Sequence, residues 1–309
     1  MKTTGAYKIW RIVYPIGIYY VVSSIAYFFL TLLLGAGEES YMLRQMLCAV
    51  ATIPFVWMHY GQDRAAREIV YGRRGIRPDA RFFCTVAGSL FAGASLGMAV
   101  NNVIVMTPLI ETSAGFQSAN QAFFAGGVVF ELLGSCLMIP LAEELLYRGV
   151  VERRLSLLCG SVPAIVLSAV IFGVMHWNVV QFLYAGILGL LLAWLLERTG
   201  FLYAPVLAHI GANVMAVVRS ETGWLDFAYQ PTAAGIAVTV LLFVVAAAVC
   251  VTLFVDSYAA MAVLAAVCRR LELVVLAVAS MAAGLVDFGA LTVVYYQFET
   301  RHSQVKPWD

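Results

Sequence analysis

Charge is what this sequence has least of. Only 12% of its residues are Asp, Glu, Lys or Arg, about half of the roughly 25% found in soluble domains. A chain of 309 residues with so little charge cannot coat a globule with polar side chains, which excludes a water-soluble fold. A bilayer removes the difficulty, because lipid tails accept apolar side chains on the outside of a fold. The net charge is +1, so there is no electrostatic footprint for nucleic acid or for acidic partners. The six cysteines (Cys48, Cys84, Cys136, Cys159, Cys250 and Cys268) lie in or beside apolar stretches. None forms a Cys-x-x-Cys pair, and they read as small buried hydrophobes. No His-Glu-x-x-His occurs. The expectation is against a helix-borne zincin site and against a serine-hydrolase elbow.

What is present is 62% hydrophobic residues, gathered in runs long enough to cross a membrane. The first run, 12–35, follows Lys2, Lys8 and Arg11 and exceeds the h-region of a cleaved signal, so it reads as a retained span. Further spans are expected at 43–60, 83–108, from 123 into the charged stretch at 143–154, and at 162–177, 180–196, 201–218, 233–255 and 273–296, with an ambiguous apolar stretch at 257–268 before the last. The fold class is all-α: a polytopic transmembrane bundle of about eight spans, with the count open between eight and nine. It forms one integral membrane domain over 1–309, with its polar core at 123–218. Segment 61–81 holds six arginines (Arg64, Arg67, Arg73, Arg74, Arg77 and Arg81), while Glu38 and Glu39 lie between the first two spans. The positive-inside rule then puts the N-terminus in the cytoplasm. Arg148, Arg153, Arg154, Arg269 and Arg270 fall on the same side, and Arg219 dissents.

An ionisable residue inside a bilayer costs roughly 2.5–3.5 kcal/mol near a helix centre, so each one asks for a reason. The densest group is Pro140-Leu-Ala-Glu143-Glu144-Leu-Leu-Tyr-Arg148. Glu144 and Arg148 are four apart, share a helix face and can pair. Glu143 lies about 100° round the helix, is left without that partner and can take a proton from water. Pro140 loosens the helix and frees a backbone carbonyl. Phe172 and His176 share a face in the next span. His209 and Asn213 share one two spans later, and both can donate hydrogen bonds to a developing oxyanion. A glutamate, two histidines and an amide from three spans make a complete hydrolytic set by role. Of the remaining polar residues, Asn101 and Asn102 are expected to bond across helices, and Glu131 and Asp287 stand as buried acids of open role.

Glu143-Glu144-x-x-x-Arg148, Phe172-x-x-x-His176 and His209-x-x-x-Asn213 resemble the three signature motifs of the CPBP family, the CAAX prenyl protease and bacteriocin-processing (Abi) membrane proteins. The likeness covers about 140–215. It implies an intramembrane glutamic endopeptidase without a cofactor or metal, acting on a membrane-associated peptide or protein. Carried onto this chain, Glu143 and His176 activate water, His209 and Asn213 hold the oxyanion, and Glu144, Arg148 and Phe172 support them. Lack of added domains fits a multi-pass protein of a prokaryotic plasma membrane. Two other readings stay open: a non-proteolytic immunity or regulatory protein, and a zinc-dependent protease using the same histidines and glutamates. Neither the peptide nor the oligomeric state is written in the sequence.

Overall fold

The computed structural model describes residues 5–71 and 75–254. Over these residues the chain is helical throughout, as the apolar runs require. The expected segments 257–268 and 273–296, with Asp287, Arg269 and Arg270, lie outside the described residues. The helices are α1 (Gly5–Leu34), α2 (Tyr41–Tyr71), α3 (Ala80–Val105), α4 (Ala114–Phe124), α5 (Val128–Cys159), α6 (Ser161–Val174), α7 (Val179–Thr199), α8 (Tyr203–Thr222) and α9 (Ala233–Phe254). Among the described residues five helices are long and apolar enough to cross a membrane, and six if α4 and α5 count as one broken span. Their outer faces carry large apolar side chains such as Leu33, Leu157 and Val162, each more than 70% exposed. Lipid is the solvent that such faces need. The protein is an integral, multi-pass membrane protein.

Three features differ from the sequence reading. Helix α4 is not among the expected spans. It meets α5 at 106° across the break at Ala125–Gly127, where Gly127 takes φ +87°. Helix α6 has 14 residues, about 21 Å at 1.5 Å per residue, and is too short to cross a hydrocarbon core of about 30 Å unaided. Its end at Val174 also leaves His176 in the turn beyond the helix rather than inside a span.

Helix α5 runs through the middle and touches α1, α2, α6 and α8. It is not a regular α-helix. Residues 131–138 and 145–152 are π-helical, with the α-helical stretch Ile139–Glu144 between them. Pro140 explains the first irregularity. The Ile139 N–H reaches back to the Gly134 carbonyl instead of Ser135. The donor that π-bonding would offer Ser135 is Pro140, which has no N–H. The Ser135 carbonyl is thus freed, as the proline predicts.

Helices α3 and α8 approach almost backbone to backbone. A Cβ on Gly93 would collide with the Ala208 backbone, and one on Gly211 with the Leu90 carbonyl. A Cβ on Gly97 would stand 2.9 Å from the Ala212 methyl. The run Gly93-Ala-Ser95-Leu-Gly97 has the Gly-x-Ser-x-Gly spacing of a serine-hydrolase elbow but not its setting. It lies mid-helix in α3 rather than at a strand-to-helix turn, and its two glycines serve this close packing.

Candidate active site

Helices α5, α6, α7 and α8 bring the three motifs together. Glu143, Phe172, His176, His209 and Asn213 all line one cavity of about 430 Å³, within the usual range for small-molecule sites. Tyr184 of α7 and Phe116 and Phe123 of α4 add to its wall.

Glu144 and Arg148 form the expected pair. Arg148 Nε lies 3.2 Å from Glu144 Oε2, and both side chains are fully buried. The contact is electrostatic rather than an aligned hydrogen bond. Arg148 also donates from Nη2 to the Gly189 carbonyl at 3.2 Å, and its Cζ sits 4.5 Å from the Phe172 ring centroid. Gly189 admits the guanidinium, since a Cβ there would stand 3.2 Å from Nη2. Glu152, one turn on, is fully buried with Oε2 4.0 Å from Arg148 Nε. The sequence reading passed over Glu152, although its i+4 spacing from Arg148 is the same signal that marks Glu144.

Glu144 does more than neutralise Arg148. Its Oε1 accepts from His209 Nδ1–H at 3.0 Å. A carboxylate can only accept here, so this contact fixes the imidazole tautomer. The other ring nitrogen, Nε2, then faces Glu143 Oε2 at 3.9 Å. Glu143 is the less enclosed acid, with 18% of its side chain exposed against none for Glu144.

His176 is fixed in the same way from its own turn. Its Nδ1–H donates to the Phe172 carbonyl at 2.9 Å. In the neutral ring Nε2 is therefore left as an acceptor. Phe172 stands edge-on to both imidazoles, with centroids 5.0 Å from His176 and 5.8 Å from His209. It also packs on Tyr147 at 5.1 Å. The phenylalanine of the second motif is thus the spacer that touches both histidines and Arg148.

Asn213 Nδ2 donates to the Ser135 carbonyl at 2.7 Å, the carbonyl released by Pro140. One amide hydrogen is spent on holding the side chain, and the second is available to a ligand. Among the described residues, no group of three or more His, Cys, Asp or Glu is arranged to hold a metal ion.

The polar residues beyond the motifs also find places. Arg219, read from the sequence as a stray charge on the wrong side, is buried, with Nη1 donating to Asn102 Oδ1 at 2.6 Å. Asn102 donates in turn to Thr239 Oγ1 at 2.9 Å, and Asn101 to the Tyr229 hydroxyl at 3.1 Å. The asparagines do bond across helices. Arg219 is not a loop charge, so it has no standing in the orientation count.

Residues 125–215 match the family model described as type II CAAX prenyl endopeptidase Rce1-like. The matched segment carries all three motifs, and over it the chain is similar to the CAAX prenyl proteases. No curated protein and no solved structure matches the chain.

Proposed function

We propose that the protein is an intramembrane glutamic endopeptidase that hydrolyses a peptide bond of a membrane-associated polypeptide. The observation that carries this reading is that Glu143, His176, His209 and Asn213 open on one cavity, inside the segment that is similar to the CAAX prenyl proteases.

A water between Glu143 and His176 gives a proton to the Glu143 carboxylate, while the bare Nε2 of His176 accepts its other hydrogen and aims the oxygen. That oxygen bonds to the scissile carbonyl carbon, and the carbonyl electron pair moves onto its oxygen. The oxyanion receives the second amide hydrogen of Asn213 and a hydrogen bond from His209 Nε2. Because His209 Nδ1–H is committed to Glu144, Nε2 donates only when the ring carries both protons. The oxyanion then collapses, the C–N bond breaks and the proton on Glu143 passes to the leaving amine. Water and a peptide become a carboxylic acid and an amine, and every proton is accounted for. Glu144, Arg148 and Phe172 hold His209 and His176 in place. In the same reading the N-terminus faces the cytoplasm of a prokaryotic cell, as the arginines of 61–81 favour.

The test is hydrolysis by the purified full chain in lipid nanodiscs, read on an internally quenched peptide library. Glu143→Gln and His176→Ala are each expected to abolish cleavage while the protein stays folded. Undiminished turnover by Glu143→Gln would sink the mechanism.

A further inference from the structure

His176 does not stand on a helix. It follows the end of α6 in a short turn, and Asn178 then caps the start of α7. A side chain on a turn is held less firmly than one on a helix, and this imidazole has to keep its place beside Glu143. The hold comes from backbone hydrogen bonding, because the last carbonyls of a helix have no partners within it.

The segment serves most of these carbonyls itself. Ile171 accepts from the Met175 N–H at 3.2 Å, Gly173 from the His176 N–H at 3.1 Å and Val174 from the Trp177 N–H at 3.2 Å. Phe172 accepts from the His176 ring. Two carbonyls are then left, and each is met by a side chain. The Met175 carbonyl accepts from the Tyr20 hydroxyl of α1 at 3.4 Å. The His176 carbonyl accepts from Asn178 Nδ2 at 3.1 Å.

Both donors are themselves fixed. Asn178 Oδ1 accepts from the Gln181 N–H at 2.8 Å, which caps α7 and turns the amide nitrogen toward His176. The other Nδ2 hydrogen goes to Gln181 Oε1. The Tyr20 hydroxyl lies 3.2 Å from that of Tyr147, which packs on Phe172. Tyr20 thus joins the turn to α5, the helix that carries Glu143.

The turn needs this support. Trp177 has φ +61°, a left-handed backbone that bulky residues rarely adopt. Its side chain is 79% exposed, so its own packing does not pin it there. Such conformations persist where the surroundings over-determine them. Tyr20 and Asn178 bind the two carbonyls that directly precede Trp177.

We propose that Tyr20 and Asn178 are positioning residues that hold the His176 turn, keeping the ring Nδ1–H on the Phe172 carbonyl and Nε2 bare for water. This rests on the hydrolytic reading of the motifs and adds to it two residues from outside them. Both act through His176.

The first readout needs no turnover. The full-length protein, with isotopically labelled histidine, is studied by NMR in nanodiscs; it has four histidines, and His176→Gln assigns the relevant signal. At a pH where the ring is neutral, the wild type is expected to carry the His176 proton on Nδ1. Tyr20→Phe and Asn178→Ser should each bring in the form protonated on Nε2. Serine keeps the α7 cap. Asn178→Asp keeps it too but has no amide hydrogen to give, and should behave like Asn178→Ser. A change with Asp and none with Ser would trace the effect to the added charge and overturn the role of Asn178. The wild-type tautomer in either Tyr20→Phe or Asn178→Ser overturns the role of that residue. The second readout is cleavage. Each variant is expected to lower kcat about two- to tenfold, the worth of one neutral hydrogen bond, with KM held within about twofold. A loss confined to KM overturns the proposal. If the tautomer responds in the variants but the wild type cuts no peptide, the hydrolytic reading is refuted and the hold on the turn is not.

Discussion

Arg148→Met is the most informative single change, because the structure says what it strands. In the native protein the Arg148 guanidinium lies 3.2 Å from Glu144 and 4.0 Å from Glu152, all three side chains fully buried. Methionine fills most of the volume but removes the charge, leaving two buried acids, Glu144 and Glu152, without the cation they share. Breaking a buried pair by deleting one partner costs about 3–5 kcal/mol. The Glu144 contact is not an aligned hydrogen bond, and an unfolded chain in a membrane also finds polar partners. Both place the loss at about 3 kcal/mol, a large share of the roughly 5–15 kcal/mol that holds a domain together. The assay is denaturation by sodium dodecyl sulfate in mixed micelles, followed by tryptophan fluorescence. The decisive control is the triple variant Arg148→Met, Glu144→Gln, Glu152→Gln. Neutralising the whole group should restore part of the stability, since a neutral amide costs less to bury than a carboxylate stripped of its cation. Hydrolysis should stay impaired in the triple variant, because Glu144→Gln takes away the carboxylate that orients His209. If Arg148→Met is as stable as the wild type, or if the triple variant is as unstable as Arg148→Met, the electrostatic account is wrong.

Other outcomes can be checked with the same preparations. His209→Ala and Asn213→Ala are each expected to lower kcat by about 2.7–4 kcal/mol, the size of one lost oxyanion donor; unaltered kcat in both would remove that assignment. Gly211→Ala forces α3 and α8 apart at Leu90, and should cost about 1–3 kcal/mol of stability with a fall in kcat as His209 is displaced; a variant indistinguishable from the wild type in both would show that the close approach is dispensable. Dialysis against a strong zinc chelator should leave cleavage intact, and loss of activity with recovery specific to zinc would establish the metal-dependent alternative.

Short-range relations account for most of what could be read without coordinates. Glu144 and Arg148, or Phe172 and His176, meet because a helix returns to the same face every three to four residues, and that periodicity is written in the chain. Pro140 belongs here too: a missing N–H releases a carbonyl whatever the surroundings. The scarcity of charge likewise dictates a membrane, since there are too few charged side chains to cover the outer surface. Glu152 obeyed the same i+4 rule and was passed over. His176 was read one turn too deep, because sequence alone does not fix where an apolar run stops being helical.

The tertiary structure decided the rest, because it depends on which helices touch. Nothing in the spacing of Glu144 and His209, 65 residues apart, says that the acid expected to serve Arg148 also orients the imidazole. Nothing local says that the carbonyl freed by Pro140 is the one that holds Asn213, or that α4 folds across the cavity as part of its wall. Arg219 shows the difference most sharply. On the sequence it was a misplaced loop charge, and in the fold it is a buried cation beside Asn102 and Tyr229. Helix periodicity is encoded residue by residue, whereas the glycines that let α3 and α8 touch act only once two distant segments have found each other.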